Sequence, residues 1–461
     1  MPDQPTSTVP HLTPDPAAHP LEQTSTSETE PGKSSWRWFA IDLTPLRDSR
    51  EYRLLYIGQS VSFFGSMMSF VALPWQLFQL TKSSFAVGML GVAEFIAIFF
   101  MAFVGGALAD YIDRRRMVRL TEIALTLGCV ILIINSLLAQ PHAWVLFAAA
   151  ALFAALNGLQ RPALDALTPR LVRAEQMPAV AALQGLRGSI AMICGPALGG
   201  VLVVSVGPAV AYSVDMATFL ISVCALSLMQ SVPPPPDADR PSFASVIDGL
   251  RYASSRQELL GTYLVDLNAM FFGMPMALFP AIAESFGGAS VGLLYASPAI
   301  GALCASLSSG WSAKVQRHGL AVAIAAGVWG LAIIGFGFAH SLWLAMACLA
   351  LAGGADMISG LFRMTIWNQT IPDHLRGRLA GIEIISYTTG PMLGNAESGI
   401  VASLFSIRTS VVSGGILCVV GTGLLTLILP AFRLYDGRAG LARKLAEEAG
   451  RTAEALPQKR A

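Results

Sequence analysis

The sequence predicts an all-α membrane protein with twelve transmembrane helices in two pseudo-symmetric six-helix bundles. Three observations carry this expectation: a composition too apolar for water, a succession of apolar runs of bilayer length, and short patterns that recur about 200 residues apart. Hydrophobic residues make up 54% of the chain and charged residues 13%, with a mean hydropathy of +0.59; soluble domains carry about 25% charged residues. A net charge of +1 supplies no basic surface for neutralising phosphates, so the expected surroundings are a lipid bilayer and not a nucleic acid.

A helix needs about 20 apolar residues to cross the hydrocarbon core. Punctuation by Gly/Pro clusters and charges gives spans at 54–80, 84–109, 117–139, 143–167, 178–204 and 208–230, then at 258–283, 288–313, 319–339, 341–367, 378–405 and 409–431. Between the two sets, PPPP at 233–236 reads as a stiff spacer. Phe243, Val246, Ile247 and Leu250 follow at helical spacing, as in an amphipathic helix lying along the membrane surface. The expected organisation is a tail over 1–50, a six-helix bundle over 51–230, a linker over 231–257, a second bundle over 258–432 and a tail over 433–461. The first part of the N-terminal tail is polar and reads as disordered, and Trp36, Trp38 and Phe39 beside Arg37 read as interfacial.

The two sets look like copies. S-x-A-V-G at Ser84–Gly88 precedes Gly106 by the same eighteen residues that separate A-S-V-G at Ala289–Gly292 from Gly310. G-L-x-R recurs at Gly158–Arg161 and Gly360–Arg363, and G-P-x-L-G at Gly195–Gly199 and Gly390–Gly394. Several such matches in one order indicate duplicated halves. The connections from odd to even spans carry only Lys82 and Arg408, while the even-to-odd connections and the tails hold nearly all other Lys and Arg. Both termini are therefore expected in the cytoplasm.

Each of the six cysteines falls in a different apolar run, with no C-x-x-C or metal-ligand spacing, and no histidine sits in the middle of a run. They read as small core residues, and neither a metal nor a cofactor is expected. Without intramembrane histidine or a clustered nucleophile and base, an enzyme is not expected either. Nothing matches G-x-x-x-x-G-K-[ST], which argues against ATP-driven pumping by this chain.

The loop after the second span reads GALADYIDRRR from Gly106. It resembles the G-x-L-x-D-[RK]-x-G-[RK]-[RK] signature of the major facilitator superfamily, with Gly106, Leu108, Asp110, Arg114 and Arg115 in register and Tyr111 and Asp113 departing from it. The resemblance implies a gating loop in which the Asp110 carboxylate caps the positive end of the eleventh helix and lets go when the transporter switches state. Glu383, near the start of that helix, is expected close to this gate. GPALGG at 195–200 is similar to the core of an antiporter-associated helix motif in the superfamily, with Gly195, Pro196, Gly199 and Gly200 giving a kinkable, small-faced helix. The PPPP linker, the G-[LF]-R-[YF] pattern at Gly249–Tyr252 and the loop resemble the enterobactin-exporter and multidrug-efflux branch of the superfamily.

Intramembrane charges are costly and mark functional candidates. Glu94, Asp215 and Asp266 lack an opposite charge one turn away, and a carboxyl buried without one favours its protonated form, so they are candidate proton carriers. Arg187 is a candidate to neutralise any of them. Asn157, Arg161 and Asp165 share a face at four-residue steps, with Asp165 placed to pair with Arg161, and Asp356 and Arg363 share a face seven apart. Arg161 and Arg363 hold equivalent positions, either as symmetric structural charges or as groups facing a cavity. Phe63, Phe64, Met67, Met68 and Trp75 in the first span correspond to Met270, Phe271, Phe272 and Met274 in the seventh, where the resemblance implies a substrate cavity. The expected activity is proton-coupled export of a small amphipathic molecule, siderophore-like or drug-like, by a monomer in the inner membrane. An uptake symporter or a non-transporting sensor on the same scaffold are the alternatives.

Overall fold

Long helices follow one another along the chain in this computed structural model, which describes residues 41–109, 113–231, 251–372 and 375–455. The first half contributes α1 (Arg50–Thr81), α2 (Ser84–Ala109), α3 (Arg114–Leu137), α4 (Ala143–Leu167), α5 (Met177–Ser205) and α6 (Pro208–Ser227). The second contributes α7 (Gln257–Phe272), α8 (Val291–Leu307), α9 (His318–Gly337), α10 (Leu342–Thr370), α11 (Arg376–Leu404) and α12 (Ile407–Ile428), and α13 (Gly437–Ala455) follows. Among the described residues, ten helices are long and apolar enough to cross a membrane, and α8 is a shorter apolar helix. The linker with PPPP, the surface-helix pattern at 243–250, Asp110 and the aromatic cluster at Trp36–Phe39 lie outside the described residues.

Local chemistry sets the helix ends. The Ser49 hydroxyl accepts a hydrogen bond from the Tyr52 amide at the start of α1, Ser341 accepts from Leu344 before α10, and Ser406 accepts from Thr409 before α12; each satisfies an orphan N–H of a first turn. Lys82 ends α1 in the left-handed conformation, φ 49°. Proline sits inside α1 (Pro74), α4 (Pro162), α5 (Pro196), α8 (Pro298) and α11 (Pro391), where it removes a backbone hydrogen bond and permits a bend.

The seventh expected span is interrupted. After α7 the chain breaks at Gly273–Pro275, makes a 3₁₀ turn over Met276–Leu278 and resumes as a short helix, Phe279–Ser285. Three backbone groups at the break are taken up by side chains from neighbouring helices. Trp329 Nε1 donates to the Gly273 carbonyl at 3.0 Å, the Tyr295 hydroxyl donates to the Met276 carbonyl at 3.0 Å, and the Ala277 amide donates to Asn395 Oδ1 at 3.0 Å. Broken backbone at membrane depth is tolerated under just these conditions.

Helix packing follows the sequence repeat. Within the first half α1 packs on α5 and α6, α3 on α4 and α6, and α2 on α4; within the second, α8 packs on α10, α9 on α10 and α12, and α7 on α11 and α12. Between the halves, α1 makes smaller contacts with α8 and with Phe279–Ser285; the two most extensive contacts are α2 with α11 and α5 with α8, each the other's counterpart under the repeat. Both are made by glycines: Gly88 and Gly399 face each other backbone to backbone, as do Gly200 and Gly292, and a Cβ on any of the four would overlap the opposite chain. The outer faces are apolar, with Trp144 at the start of α4 and Trp343 at the start of α10 both exposed, as aromatic side chains at a membrane boundary are. Cys129 and Cys418 are buried as expected, whereas Cys194, Cys224 and Cys304 are on the outer surface, where an apolar thiol is as acceptable to lipid as to a core.

Candidate functional site: a cavity between the halves

A cavity of about 290 Å³ lies between the two halves, walled by α1, α2, α3, α4 and α6 on one side and by α8, α11 and the Met276–Ala277 turn on the other. Its wall is mostly apolar, with Met67, Phe70, Phe153, Phe219, Met276 and Met392, and its polar groups are Glu94, Asn157, Asp215, Asn395 and serines of α1. A pliable methionine and aromatic lining with few polar groups suits an amphipathic small molecule.

The cavity is closed at the end that carries the α1–α2 and α7–α8 connections. There the Gly88–Gly399 and Gly200–Gly292 contacts bring the helices together, and Lys82 Nζ pairs with Glu284 at 2.6 Å while Gln79 Nε2 donates to the same carboxylate at 2.9 Å. At the opposite end the glycines of the corresponding helices, Gly185 and Gly188 of α5 and Gly310 after α8, meet nothing within 4 Å.

The expected site residues divide into three groups. Glu94, on α2, projects into the cavity and has no hydrogen bond or ion pair among the described residues. Asp215 also lines the cavity but is fully buried, held by the hydroxyls of Ser69 and Thr218 and by the Cys129 thiol. Asp266 is not unpaired: it forms an ion pair with Arg363 of α10, which also contacts Asp356 at 3.6 Å. The Asp356–Arg363 pairing expected on one helix is thus extended by a third member from α7, a contact between helices that spacing within either could not reveal.

In the first half the charges are arranged differently. Arg161 and Asp165 are both exposed on α4, and Asp165 forms no ion pair among the described residues, so the expected one-turn pair is not made. Arg187 neutralises none of the three acids; its guanidinium lies 5.7 Å from the centroid of the Phe63 ring, and its Nε is buried without an acceptor. Arg114 and Arg115 act within their own half. Arg114 donates to the Ala166 carbonyl near the end of α4 at 3.1 Å, and Arg115 donates to the Leu226 and Ser227 carbonyls at the end of α6, both at 2.7 Å. A cation on the last carbonyls of a helix satisfies orphan acceptors and complements the helix dipole. Asp113, where the family signature has glycine, caps α3 by accepting from the Arg116 amide at 2.9 Å. Gly106 belongs to α2 and Glu383 to α11, but the surroundings of both lie outside the described residues.

The small-faced helix is accounted for by contact. Gly195, Pro196, Gly199 and Gly200 are all buried. A Cβ on Gly199 would come within 2.7 Å of Met68 Cα, and Gly195 packs on Met67. Gly390 and Gly394 pack on Met270 and on the Met270 and Phe271 carbonyls in the equivalent way. Of the expected aromatic and methionine candidates, Met67 reaches the cavity, while Met68, Trp75 and Met270 are buried in helix contacts.

Sequence reading missed several cavity or interior residues, Phe70, Phe153, Phe219 and Met392 of the apolar wall among them. Asn395 lines the cavity and ties α11 to the broken α7, and Met276 stands two residues beyond Met274, the last of the methionines singled out. Glu122 of α3 is 1% exposed and accepts from Gln59 at 2.7 Å, Gln160 at 2.8 Å and Ser62 at 3.1 Å. The sequence reading did not single it out; the signal that would have found it is its seven-residue register with Cys129 and Ser136 on α3.

The family model described as "Transmembrane secretion effector" matches residues 40–445. Among curated proteins, the enterobactin exporter EntS of Citrobacter koseri is 29% identical over 406 residues, 87% of this chain and 97% of that one. The EntS of Salmonella typhi is 28% identical over 407 residues with the same coverage. Among solved structures, the nucleoside transporter NupG aligns with a TM-score of 0.66 at 13% identity, covering 83% of this chain and 98% of that one. A bacterial homologue of the iron transporter ferroportin, in an inward-facing state, aligns at 0.65 and 13% with the same coverage. These structural likenesses establish a shared helical transporter fold. An apolar exterior, a cavity between two repeated halves and a family match over most of the sequence lead to one assignment: the chain belongs to the transmembrane secretion effector family of the major facilitator superfamily, and is an integral multi-pass membrane transporter and not an enzyme.

Proposed function

We propose that the chain is a secondary active exporter of a small amphipathic molecule, driven by proton exchange. It would work by alternating access of two six-helix bundles, residues 51–230 and 258–432, with both termini cytoplasmic and the cavity open to the cytoplasm. The observation that carries this reading is a cavity walled by both halves, sealed at one end by paired glycines and containing one carboxylate, Glu94, with no described partner. A rocking transporter needs a seam that can close tightly and part cleanly, and glycine-on-glycine contacts with almost no side-chain interdigitation suit that use. A carboxyl group in an apolar cavity can bind either a proton or a cationic or hydroxylated substrate, which makes the two ligands competitors.

Glu94 is the proposed site of that competition, and Asp266, bound to Arg363, the proposed partner switch in the second half. Asp110 is the proposed inner latch against α11, with Glu383 beside it. The likeness to enterobactin exporters supports a catecholate siderophore as first candidate substrate.

Inverted membrane vesicles carrying the chain test the reading. Enterobactin should accumulate inside them when their interior is acidified and should stop accumulating when the pH gradient is collapsed. Uptake of enterobactin into whole cells, with no gradient-driven accumulation in inverted vesicles, would replace export by import.

A further inference from the structure

A column of polar side chains runs through the inside of the first half, separate from the seam. Helices α1 and α3 contribute to it every seventh residue, Ser62, Ser69 and Gln76 on one and Glu122, Cys129 and Ser136 on the other, and the antiparallel α6 answers with Ser222, Asp215 and Tyr212. Three layers result. Glu122 meets Gln59, Ser62 and Gln160, and Gln59 Nε2 also donates to Ser222 at 3.2 Å. Asp215 meets Ser69 and Cys129. Gln76 accepts from the Tyr212 hydroxyl at 2.9 Å and donates to Ser136 at 3.0 Å.

Between the first two layers stands Thr218, which donates to the Asp215 carbonyl at 2.7 Å and precedes Ser222 by one turn of α6. Its hydroxyl occupies the space left by Gly65, where a Cβ would overlap Thr218 and come within 2.9 Å of the Asp215 carboxylate. Asp215 in turn lines the cavity. Hydroxyls and carboxyls thus stand at successive turns between the cavity and Glu122, over two turns of α3 or about 10 Å.

We propose that Glu122 is a proton-binding residue of the transport cycle, reached from the cavity through Asp215 and the hydroxyls of Ser69, Thr218, Ser222 and Ser62. This rests on the proton-driven reading above and gives it a second acid away from the substrate. The faces of α1 and α4 turned to Glu122 carry amides and hydroxyls, and α6 contributes Asp215. On α3 itself Cys129 lies two turns away and Arg119 one turn away, and Arg161 follows Gln160 on the exposed side of α4. None of these arginines is within ion-pair distance of Glu122 or Asp215 among the described residues.

The chemistry makes the site two-state. An ionised Glu122 only accepts, and the donors present suit it; a protonated Glu122 carries an O–H that needs an acceptor, so the Ser62 hydroxyl must rotate to accept, a Gln59 or Gln160 amide must turn its oxygen inward, or Ser222 must accept. Those groups belong to α1, α4 and α6, which also line the cavity. Taking up or releasing one proton at Glu122 thus changes the hydrogen bonding that holds the cavity wall.

The test uses the full chain in liposomes, with enterobactin as probe, comparing wild type, Glu122→Gln, Glu122→Asp and Thr218→Val. One proton per substrate turns a one-unit pH gradient into about a tenfold concentration ratio. Wild type should reach it, and Glu122→Gln should exchange substrate without a gradient yet accumulate none. Glu122→Asp should recover accumulation with a shifted pH profile, and Thr218→Val should slow it. Failure of wild type to respond to any gradient would count against the export reading; equal accumulation by wild type and Glu122→Gln would overturn Glu122 alone. A second measurement needs no substrate. Infrared spectra of the chain titrated in lipid nanodiscs should contain a protonated-carboxyl band that disappears in Glu122→Gln and moves in Ser62→Ala, and a titration lacking any band sensitive to both substitutions overturns the proposal.

Discussion

The two halves share a repeat and a glycine seam, yet they accommodate buried charge in opposite ways. In the second half Asp266 is balanced by a cation, Arg363, which also reaches Asp356. In the first half Glu122 and Asp215 are surrounded by amides, hydroxyls and a thiol, with no cation at ion-pair distance among the described residues. Duplication preserved the surfaces where the halves meet and left the interiors free to diverge. An ion pair is a fixed arrangement that resists losing either member, whereas a hydrogen-bonded acid can exchange its proton while its neighbours reorient. The difference means that an acid of the first half can take up a proton without breaking an ion pair, whereas Asp266 can do so only by releasing Arg363.

The largest effect is expected at what the halves share. Leucine at Gly200 or at Gly399 should reduce transport to background, because the α5–α8 and α2–α11 contacts admit no side chain. Flux measurements would check both, and transport surviving at one seam alone would break the equivalence of the halves. Next comes the ion pair. Asp266→Asn leaves a buried arginine short of its main partner and should destabilise the fold by about 3–5 kcal/mol, while the double variant Asp266→Asn/Arg363→Gln should recover much of that. Thermal melts in detergent would read the difference, and a double variant no more stable than the single one would contradict the pairing.

Glu94→Gln should leave stability nearly unchanged, since Glu94 has no described partner to lose, and should abolish proton-driven accumulation. Arg115→Ala should cost about 1 kcal/mol through loss of the α6 carbonyl contacts, again measurable by melting. The smallest effect belongs to the exposed Lys82–Glu284 pair across the closed end; replacing Lys82 by alanine should change stability by about 0.2–1 kcal/mol and less at high salt.

Much of this architecture could be read before any coordinates. The helix starts and stops are local, written in Ser49, Ser341, Ser406 and the prolines. The repeat pointed to Gly88, Gly292, Gly195, Gly199, Gly390 and Gly394, all of which make close helix contacts. It did not point to Gly399, and it also included Gly310, which meets nothing within 4 Å. What spacing could not supply was contact between helices distant in the chain. Asp266 gave no sign of Arg363 because the two are nearly a hundred residues apart, and the amides and hydroxyls that surround Glu122 come from α1 and α4. The interruption of α7 was marked by Gly273 and Pro275, but its tolerance depends on Trp329, Tyr295 and Asn395, which come from three other helices. Arg114 and Arg115, expected in the gating loop as pairing or positive-inside charges, donate to carbonyls at the ends of α4 and α6, partners that spacing could not name.

The central claim is that the two halves rock about the cavity, closing one end as the other opens. Pulsed electron-spin distances between labels at Lys82 and Glu284, across the closed end, and between labels at Leu186 of α5 and Leu307 of α8, across the open end, test it directly. On imposing an outward-directed substrate gradient with acidification, the first distance should lengthen while the second shortens. If both lengthen together, or neither changes while substrate is being transported, the account is contradicted.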